Sequence, residues 1–267
     1  MRLSESDRLF LVRTLEPDTN DVGALVRAVD EDEDLLSAML EDERLAHALI
    51  DEWDRAVQVS PKLFFAVLLH RVRHDLEHRS YTFERDKNQM MVIFDTSNIL
   101  DLLSRSNIRD YLAEMLSSFA RIQSYTVSVQ KRAGIWYRYR FSDYDVDSLI
   151  RLSERLSEER RFPIYRRIAD VCLFSLSLFS DWMDSDRRAM VKSHPELGLL
   201  AAKNPGDYKE YGEYFYGEAA RLSPREEAPL GDALRNLSQE FSLAAKPLTF
   251  MADHYLGPLK TKVFLRQ

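Results

Sequence analysis

Residues 106–141 read SNIRDYLAEMLSSFARIQSYTVSVQKRAGIWYRYRF, and they combine two patterns of apolar residues. From Ile108 to Phe119 the apolar residues recur about one helical turn apart, which predicts an amphipathic helix that begins near Asn107. Two runs rich in β-branched and aromatic residues, YTVSVQ and IWYRYRF, then flank KRAG and predict a β-hairpin with a short loop. The stretch therefore predicts a helix followed by a two-stranded ribbon.

The predicted hairpin carries a local excess of positive charge. The whole chain of 267 residues has a formal net charge of -7, but residues 121–141 contain no acidic residue. Cations on an exposed ribbon can neutralise phosphates and release counterions, so this hairpin can contact nucleic acid. Alternation along the strands places the basic residues and a tryptophan on the outward face and at the tip: Lys131, Arg132, Trp136, Arg138 and Arg140.

Upstream of this stretch, the sequence predicts a helix at 61–79, short strands in SYTFER and MMVIFD, and a helix at 97–105. Counted from the helix at 61–79 through the strand near 91–94, the helices at 97–105 and 107–121 and the two strands of the hairpin, this order of elements resembles the winged-helix variant of the helix-turn-helix family. The resemblance implies a DNA-binding module in which the hairpin is the wing and the third helix enters the major groove. It also implies contacts to the backbone or minor groove from the hairpin, and to base edges from Arg105, Asn107 and Arg109.

Two features of the sequence leave alternatives to DNA contact open. Asp110 and Glu114 on the predicted recognition helix would repel phosphates, which favours a module that binds protein instead. The hairpin arginines could also pair with acidic residues just downstream, and the hairpin would then be purely structural. Those acidic residues are Asp143, Asp145 and Asp147.

The composition predicts a mainly helical protein. Only 8 glycines and 9 prolines occur, and 45% of the residues are hydrophobic, which is enough for a substantial core. No apolar run reaches the roughly 18 residues that a membrane span requires. The N-terminal sequence carries charge throughout, unlike a signal peptide, and the single cysteine, Cys172, fits a reducing compartment. We therefore expect a cytoplasmic protein without a membrane span.

We expect three parts: N-terminal helices at 1–59, a winged-helix-like module at 60–160, and a helical C-terminal domain at 161–267. The predicted fold class is mainly α, a multi-helix protein with an embedded α+β module that contains two short β-hairpins. Ser60 and Pro61 form a favourable helix start at the first boundary. The polar run EERRFP marks the second boundary.

The motif HDLEH at residues 74–78 matches the H-x-x-E-H pattern of the inverted zinc proteases. His74 and His78, one helical turn apart, could bind zinc, and Glu77 could act as the general base. Such a site needs a further protein ligand. The acidic residues that could supply it are Glu154 and Glu158.

A helical wheel argues against this zinc site. It places both histidines and His70 opposite the apolar stripe of their helix, so all three are expected to be solvated. Neighbouring arginines, among them Arg71 and Arg73, would oppose a dication. We therefore predict no metal site, no cofactor and no catalytic residue, and keep a zinc-dependent hydrolase as a remote alternative.

The C-terminal half offers a weaker prediction of a ligand pocket. Asp170 begins a strongly apolar segment and could be a buried functional carboxylate, although pairing with Arg166 or Arg167 is the alternative. Tyr211 and Phe215 could line the same pocket, although aromatic residues at helical spacing also form cores. Cys172 lies among apolar residues and is expected to be an inert core thiol.

Together these patterns predict a non-catalytic, regulatory protein that binds double-stranded DNA through the hairpin and the adjacent helix pair. The helical C-terminal domain would then form a homodimer or sense a protein partner or a small ligand. A non-catalytic scaffold, in which the hairpin and the aromatic helices bind another protein, is the alternative.

Overall fold

The computed structural model describes residues 1–78, 82–86, 89–93, 95–120, 124–132, 135–142, 144–179 and 203–257. In the strands and at Trp53 the description covers the backbone alone. The chain divides into two compact units. The first unit comprises Met1–Ala120 with the described residues from Phe250 onward, and the second unit comprises Arg121–Thr249.

The first unit is built from short α-helices, several of which begin at a serine or aspartate cap. Asp32, for example, accepts hydrogen bonds from the backbone N–H groups of Asp34 and Leu35. The acidic run at 30–34 therefore contains a capped helix N-terminus, where the helix dipole favours negative charge. The helices are α1 Glu5–Leu15, α2 Val22–Glu31, α3 Glu33–Glu41, α4 Glu43–Ile50, α5 Trp53–Ala56, α6 Pro61–Glu77, α7 Thr96–Ser104 and α8 Ser106–Phe119.

Helix α6 lies at the centre of the first unit and packs against α3, α4, α7 and α8. The side chains of the apolar stripe that the sequence predicts are completely buried: Phe65, Leu68, Leu69, Val72 and Leu76. Every residue from Leu63 to His70 is buried as well, so the first turns of α6 are covered on all sides. The wheel prediction that His70 is solvated is therefore wrong, because neighbouring helices also cover its face.

Asp7 joins the start of α1 to the start of α6. Its carboxylate accepts hydrogen bonds from the Ser60 backbone N–H at 2.8 Å and from the Ser60 hydroxyl at 2.7 Å. It also accepts one from the Ser4 hydroxyl at 2.7 Å within the capping box of α1. Asp7 is only 2% exposed, and these donors compensate for the burial of its charge.

The backbone forms antiparallel ladders at the two places where the sequence predicts hairpins. β1 Thr82–Asp86 pairs with β2 Gln89–Ile93, and β3 Ser124–Arg132 pairs with β4 Ile135–Ser142. Each ladder is a separate two-stranded sheet. The register of the second ladder shifts between Gln130 and Arg132, near the loop.

The prediction of a winged-helix module within a mainly α fold is wrong. Every regular element whose side chains the structure describes is a helix, and only the mainly α part of the prediction agrees with that. Helix α8, the predicted recognition helix, belongs to the first unit and buries its apolar face and Arg109 there. The predicted wing at 124–142 belongs to the second unit. The order of the elements matched the family, but order alone does not show which helix faces are exposed.

The second unit is helical in the remainder of its described part. Helix α10 (Phe162–Leu178) packs along α11 (Pro205–Leu222), and α11 packs against α12 (Ala228–Gln239). A break at Glu240 separates α12 from α13 (Phe241–Met251), and Pro247 lies inside α13. The helices are α9 Val146–Ser153, α10 Phe162–Leu178, α11 Pro205–Leu222, α12 Ala228–Gln239 and α13 Phe241–Met251, with 3-10 turns at Glu158–Arg160 and Arg225–Glu227 and a π-helical turn at Ala252–Leu256.

The three-part division predicted from the sequence, at 1–59, 60–160 and 161–267, stays a prediction. Among the described residues, no helix combines the length and the apolar character that crossing a membrane requires.

Candidate functional site

The residues of the HDLEH motif take part in a polar network on α6. The Arg71 guanidinium lies 2.9 Å from one Asp75 oxygen, and the Tyr255 hydroxyl donates a hydrogen bond to the other. His74 Nδ1 lies 3.5 Å from the Arg71-facing oxygen of Asp75, and His78 donates from Nδ1 to the backbone carbonyl of His74 at 3.1 Å. The polar residues of the motif therefore contact other side chains and backbone groups of the first unit.

Tyr255 is the part of this network that the sequence did not indicate. Burial and the hydrogen bond to Asp75 raise the pKa of the Tyr255 hydroxyl, so it remains a donor to Asp75 at alkaline pH as well. Tyr255 lies 180 positions beyond Asp75 in the chain, so no local pattern could have paired them.

The zinc hypothesis finds no support in the described part of the chain. No group of three or more histidine, cysteine, aspartate or glutamate side chains is arranged there to hold a metal ion. Glu158, one of the proposed further ligands, forms an ion pair with Arg221 at 2.8 Å in the second unit. Glu154, the other, is an exposed residue at the end of α9.

Helix α8 holds the residues that were predicted to approach base edges. Arg105 lies between α7 and α8 and forms an ion pair with Asp101 at 2.6 Å. Asn107 is half-buried in the first turn of α8. Arg109 is 8% exposed and donates from Nη1 to the backbone carbonyl of Leu103. Arg109 thus faces the interior of the first unit.

The acidic residues of α8 are already in contact with cations of the same unit. Asp110 lies 2.7 Å from the amino group of Met1, and Glu114 lies 3.4 Å from Lys62 Nζ. Both carboxylates are at least partly exposed, so these ion pairs contribute little to stability individually.

The hairpin residues are placed by their backbone register, and their side chains lie outside what the structure describes. Trp136, Arg138 and Arg140 pair with Gln130, Ser128 and Thr126 respectively, at alternate positions of one ladder. Alternate positions share one face of a β-ladder, and the exposure of that face stays a prediction. Arg132 pairs with Ile135 next to the loop, and Lys131 lies at the register shift.

Asp170 and the aromatic residues near it belong to the packed interior of the second unit. The Tyr216 hydroxyl donates to Asp170 Oδ1 at 2.9 Å, and both side chains are buried. Arg166 Nε lies 3.9 Å from Asp170 Oδ2, so the pairing that was the alternative to a functional carboxylate is present. Tyr216 belongs to the same aromatic run as Tyr211 and Phe215, but the sequence alone did not pair it with Asp170, which lies 46 positions earlier.

Tyr211 and Phe215 lie on α11 among other aromatic side chains. The Phe215 ring centroid lies 5.2 Å from that of Tyr165 and 5.1 Å from that of Tyr214. Lys203 Nζ lies 5.2 Å from the centroid of the Tyr211 ring and 2.7 Å from Asp147 Oδ1. The ligand pocket predicted at Asp170, Tyr211 and Phe215 stays a prediction.

Cys172 is completely buried in α10, as the sequence predicts. Burial raises the pKa of its thiol far above the ordinary value, so the reactive thiolate is disfavoured.

Comparisons of the chain with protein-family models, with curated proteins and with solved structures found no match. The functional reading therefore depends on the residues alone.

Proposed function

We propose that the protein is a non-catalytic, cytoplasmic regulator that binds double-stranded DNA through the basic hairpin at 124–142. The observation that carries this proposal is the reversal of charge: residues 121–141 contain no acidic residue in a chain whose net charge is -7. The backbone register supports it, because Trp136, Arg138 and Arg140 occupy alternate positions of one ladder.

The proposed contact is with the DNA backbone and does not depend on a recognition helix. Arg109 donates to a backbone carbonyl inside the first unit, and we leave it out of the proposed interface. Phosphate contacts carry no sequence information by themselves. We therefore expect weak sequence preference and a strong dependence on salt.

An electrophoretic mobility shift with mixed-sequence duplex DNA tests the proposal. If Lys131, Arg132, Arg138 and Arg140 each neutralise one phosphate, affinity should fall roughly a hundredfold between about 50 mM and 200 mM salt. The variant R138A/R140A should bind more weakly and should lower the slope of log affinity against log salt by about 2.

The matched control is R55A/R235A, which removes the same charge. Arg55 and Arg235 are exposed residues that form ion pairs with Glu52 and Asp232. This control should retain the wild-type affinity and salt dependence. Equal DNA affinity for R138A/R140A and wild type, or no shift at low salt, would overturn the proposal.

A second proposal is a scaffold role in which α11 binds another protein. Tyr214 favours it, because this large side chain is 59% exposed beside Phe215 and such residues anchor protein interfaces. The partner could be a second copy of the chain, as in the homodimer predicted from the sequence. Sedimentation equilibrium tests this case: Y214A should shift a dimer toward monomer, and a monomeric wild-type chain would contradict it.

A further inference from the structure

Two basic side chains between α6 and α8 are buried and incompletely hydrogen-bonded. His70 is 6% exposed and Arg109 is 8% exposed. Within the part of the chain that the structure describes, His70 Nδ1 and Arg109 Nε are buried and make no hydrogen bond. Buried polar atoms in native proteins almost always have a partner, so two such atoms in one cluster indicate a ligand that supplies acceptors.

The charges around these atoms also favour an anion. Burial, Arg109 and Arg73 lower the pKa of His70 to about 3, so His70 is neutral and can donate one N–H. Burial and the charge of Arg73 also lower the pKa of Arg109, and the charges of Asp110 and Glu41 oppose this shift. The two guanidinium groups therefore repel each other, and a negative charge between them would relieve that repulsion.

Glu41, at the end of α3, shows where an anion approaches this cluster. Its Oε1 atom lies 3.2 Å from Arg73 Nη1 and 3.4 Å from His70 Nδ1. The side chain of Glu41 is 48% exposed and that of Arg73 is 30% exposed, so solvent reaches this edge of the cluster. Arg73 Nε also lies 3.4 Å from Glu77. Of these two carboxylates, Glu41 is the one that also lies near His70.

We propose that Arg73, His70 and Arg109 form a binding site for a phosphate dianion, and that the Glu41 carboxylate occupies its edge in the absence of ligand. A phosphate presents enough oxygens to accept from all three side chains, whereas a carboxylate presents two. The planar fork of Arg73 suits two oxygens of one phosphate. Glu41 competes with the ligand because it holds the same Arg73 donor.

Isothermal titration of the full chain with inorganic phosphate, in a buffer free of phosphate and sulfate, tests the proposal. We expect one phosphate per chain, at least a tenfold loss of affinity in R73A, and several-fold tighter binding in E41Q, which lacks the competing charge. Sodium acetate at the same ionic strength should bind more weakly. R55A, which removes an exposed arginine of the same unit, should bind as wild type does.

The outcomes separate clearly. No phosphate binding to either wild type or E41Q would overturn the proposal, and so would unchanged binding to R73A. Circular dichroism shows whether R73A is folded. If R73A is unfolded, R73K replaces it in the test. R73K keeps the positive charge but lacks the planar guanidinium, and it should bind phosphate more weakly than wild type. Glycerol 3-phosphate serves as a second ligand: if it binds as phosphate does, the site accepts phosphomonoesters, and if only phosphate binds, the site selects the free ion.

Discussion

The ring of Phe241 lies against Gly212 so closely that a Cβ atom at position 212 would be 2.2 Å from two ring carbons. Both residues are buried, and Phe241 is completely so. Helices α11 and α13 can approach each other at this point only because position 212 carries no side chain. The close approach offsets the entropic cost of a glycine inside a helix.

We predict that Gly212→Ala destabilises the second unit by about 2 kcal/mol or more, because the buried Phe241 ring has to move into packed surroundings. Thermal unfolding followed by circular dichroism measures the effect. Gly23→Ala in α2 is the control: a Cβ there would come no closer than 3.7 Å to another atom. It should leave stability unchanged or raise it by up to about 1 kcal/mol. Equal unfolding temperatures for Gly212→Ala and wild type would contradict the close approach.

We predict that Tyr216→Phe costs about 1 to 3 kcal/mol, because it removes a hydrogen bond to the buried Asp170 carboxylate. The hydroxyl lies 2.9 Å from Asp170 Oδ1. Tyr214→Phe removes the hydroxyl of a neighbouring tyrosine whose side chain is 59% exposed, and it should leave the free energy of unfolding unchanged. Chemical denaturation of both variants provides the comparison, and a neutral Tyr216→Phe would show that Asp170 does not depend on this donor.

Stability should depend on pH through His70. Burial, Arg109 and Arg73 lower the pKa of His70 to about 3 in the folded chain, against an ordinary value of 6.5. Between these values the unfolded chain takes up a proton that the folded chain does not, so stability falls as pH falls below 6.5. At about pH 5 the loss due to His70 is about 2 kcal/mol.

The variant His70→Gln tests this dependence, because glutamine cannot take up the proton. The difference in stability between wild type and variant should shrink by about 2 kcal/mol from about pH 8 to pH 5. Denaturant titrations at both pH values give this difference directly. A constant difference would show that the folded and unfolded chains do not differ in proton uptake at His70 in this pH range.

Removal of metal should leave the protein unchanged. His78 donates to a backbone carbonyl of its own helix, and the described residues contain no cluster of metal ligands. We expect an unaltered unfolding temperature after treatment with a chelator, and no stoichiometric zinc by elemental analysis. Zinc near one atom per chain, lost in His74→Gln together with His78→Gln, would restore the hydrolase hypothesis.

Local signals in the sequence identified helix starts that the structure confirms. Ser60 caps α6 by accepting from the Leu63 backbone N–H at 3.2 Å, with Pro61 in the first turn. The starts predicted at 97 and near 107 lie within one residue of the first residues of α7 and α8, Thr96 and Ser106. A cap depends on residues within a single turn, so a short stretch of sequence is enough to predict it.

The resemblance to a winged helix could not show how α8 is used. The order of helices and strands fitted the family, but α8 turns Arg109 toward the interior of the first unit. Periodicity predicted the apolar stripe of that helix correctly. It could not indicate that a basic residue beside the stripe would be buried and would donate to a carbonyl of α7, because that depends on packing between elements.

The sequence by itself determined the predominance of helix, the Ser60 cap at the start of α6, the buried stripe of α6 and the burial of Cys172. Only the tertiary structure decided that His70 is enclosed near Arg109, that Asp7 links two helix starts, and that Phe241 covers Gly212. The physical reason is the range of the interactions. Caps and apolar periodicity act within a few residues, whereas the burial of a polar group depends on helices that are distant in sequence and meet only in the folded chain.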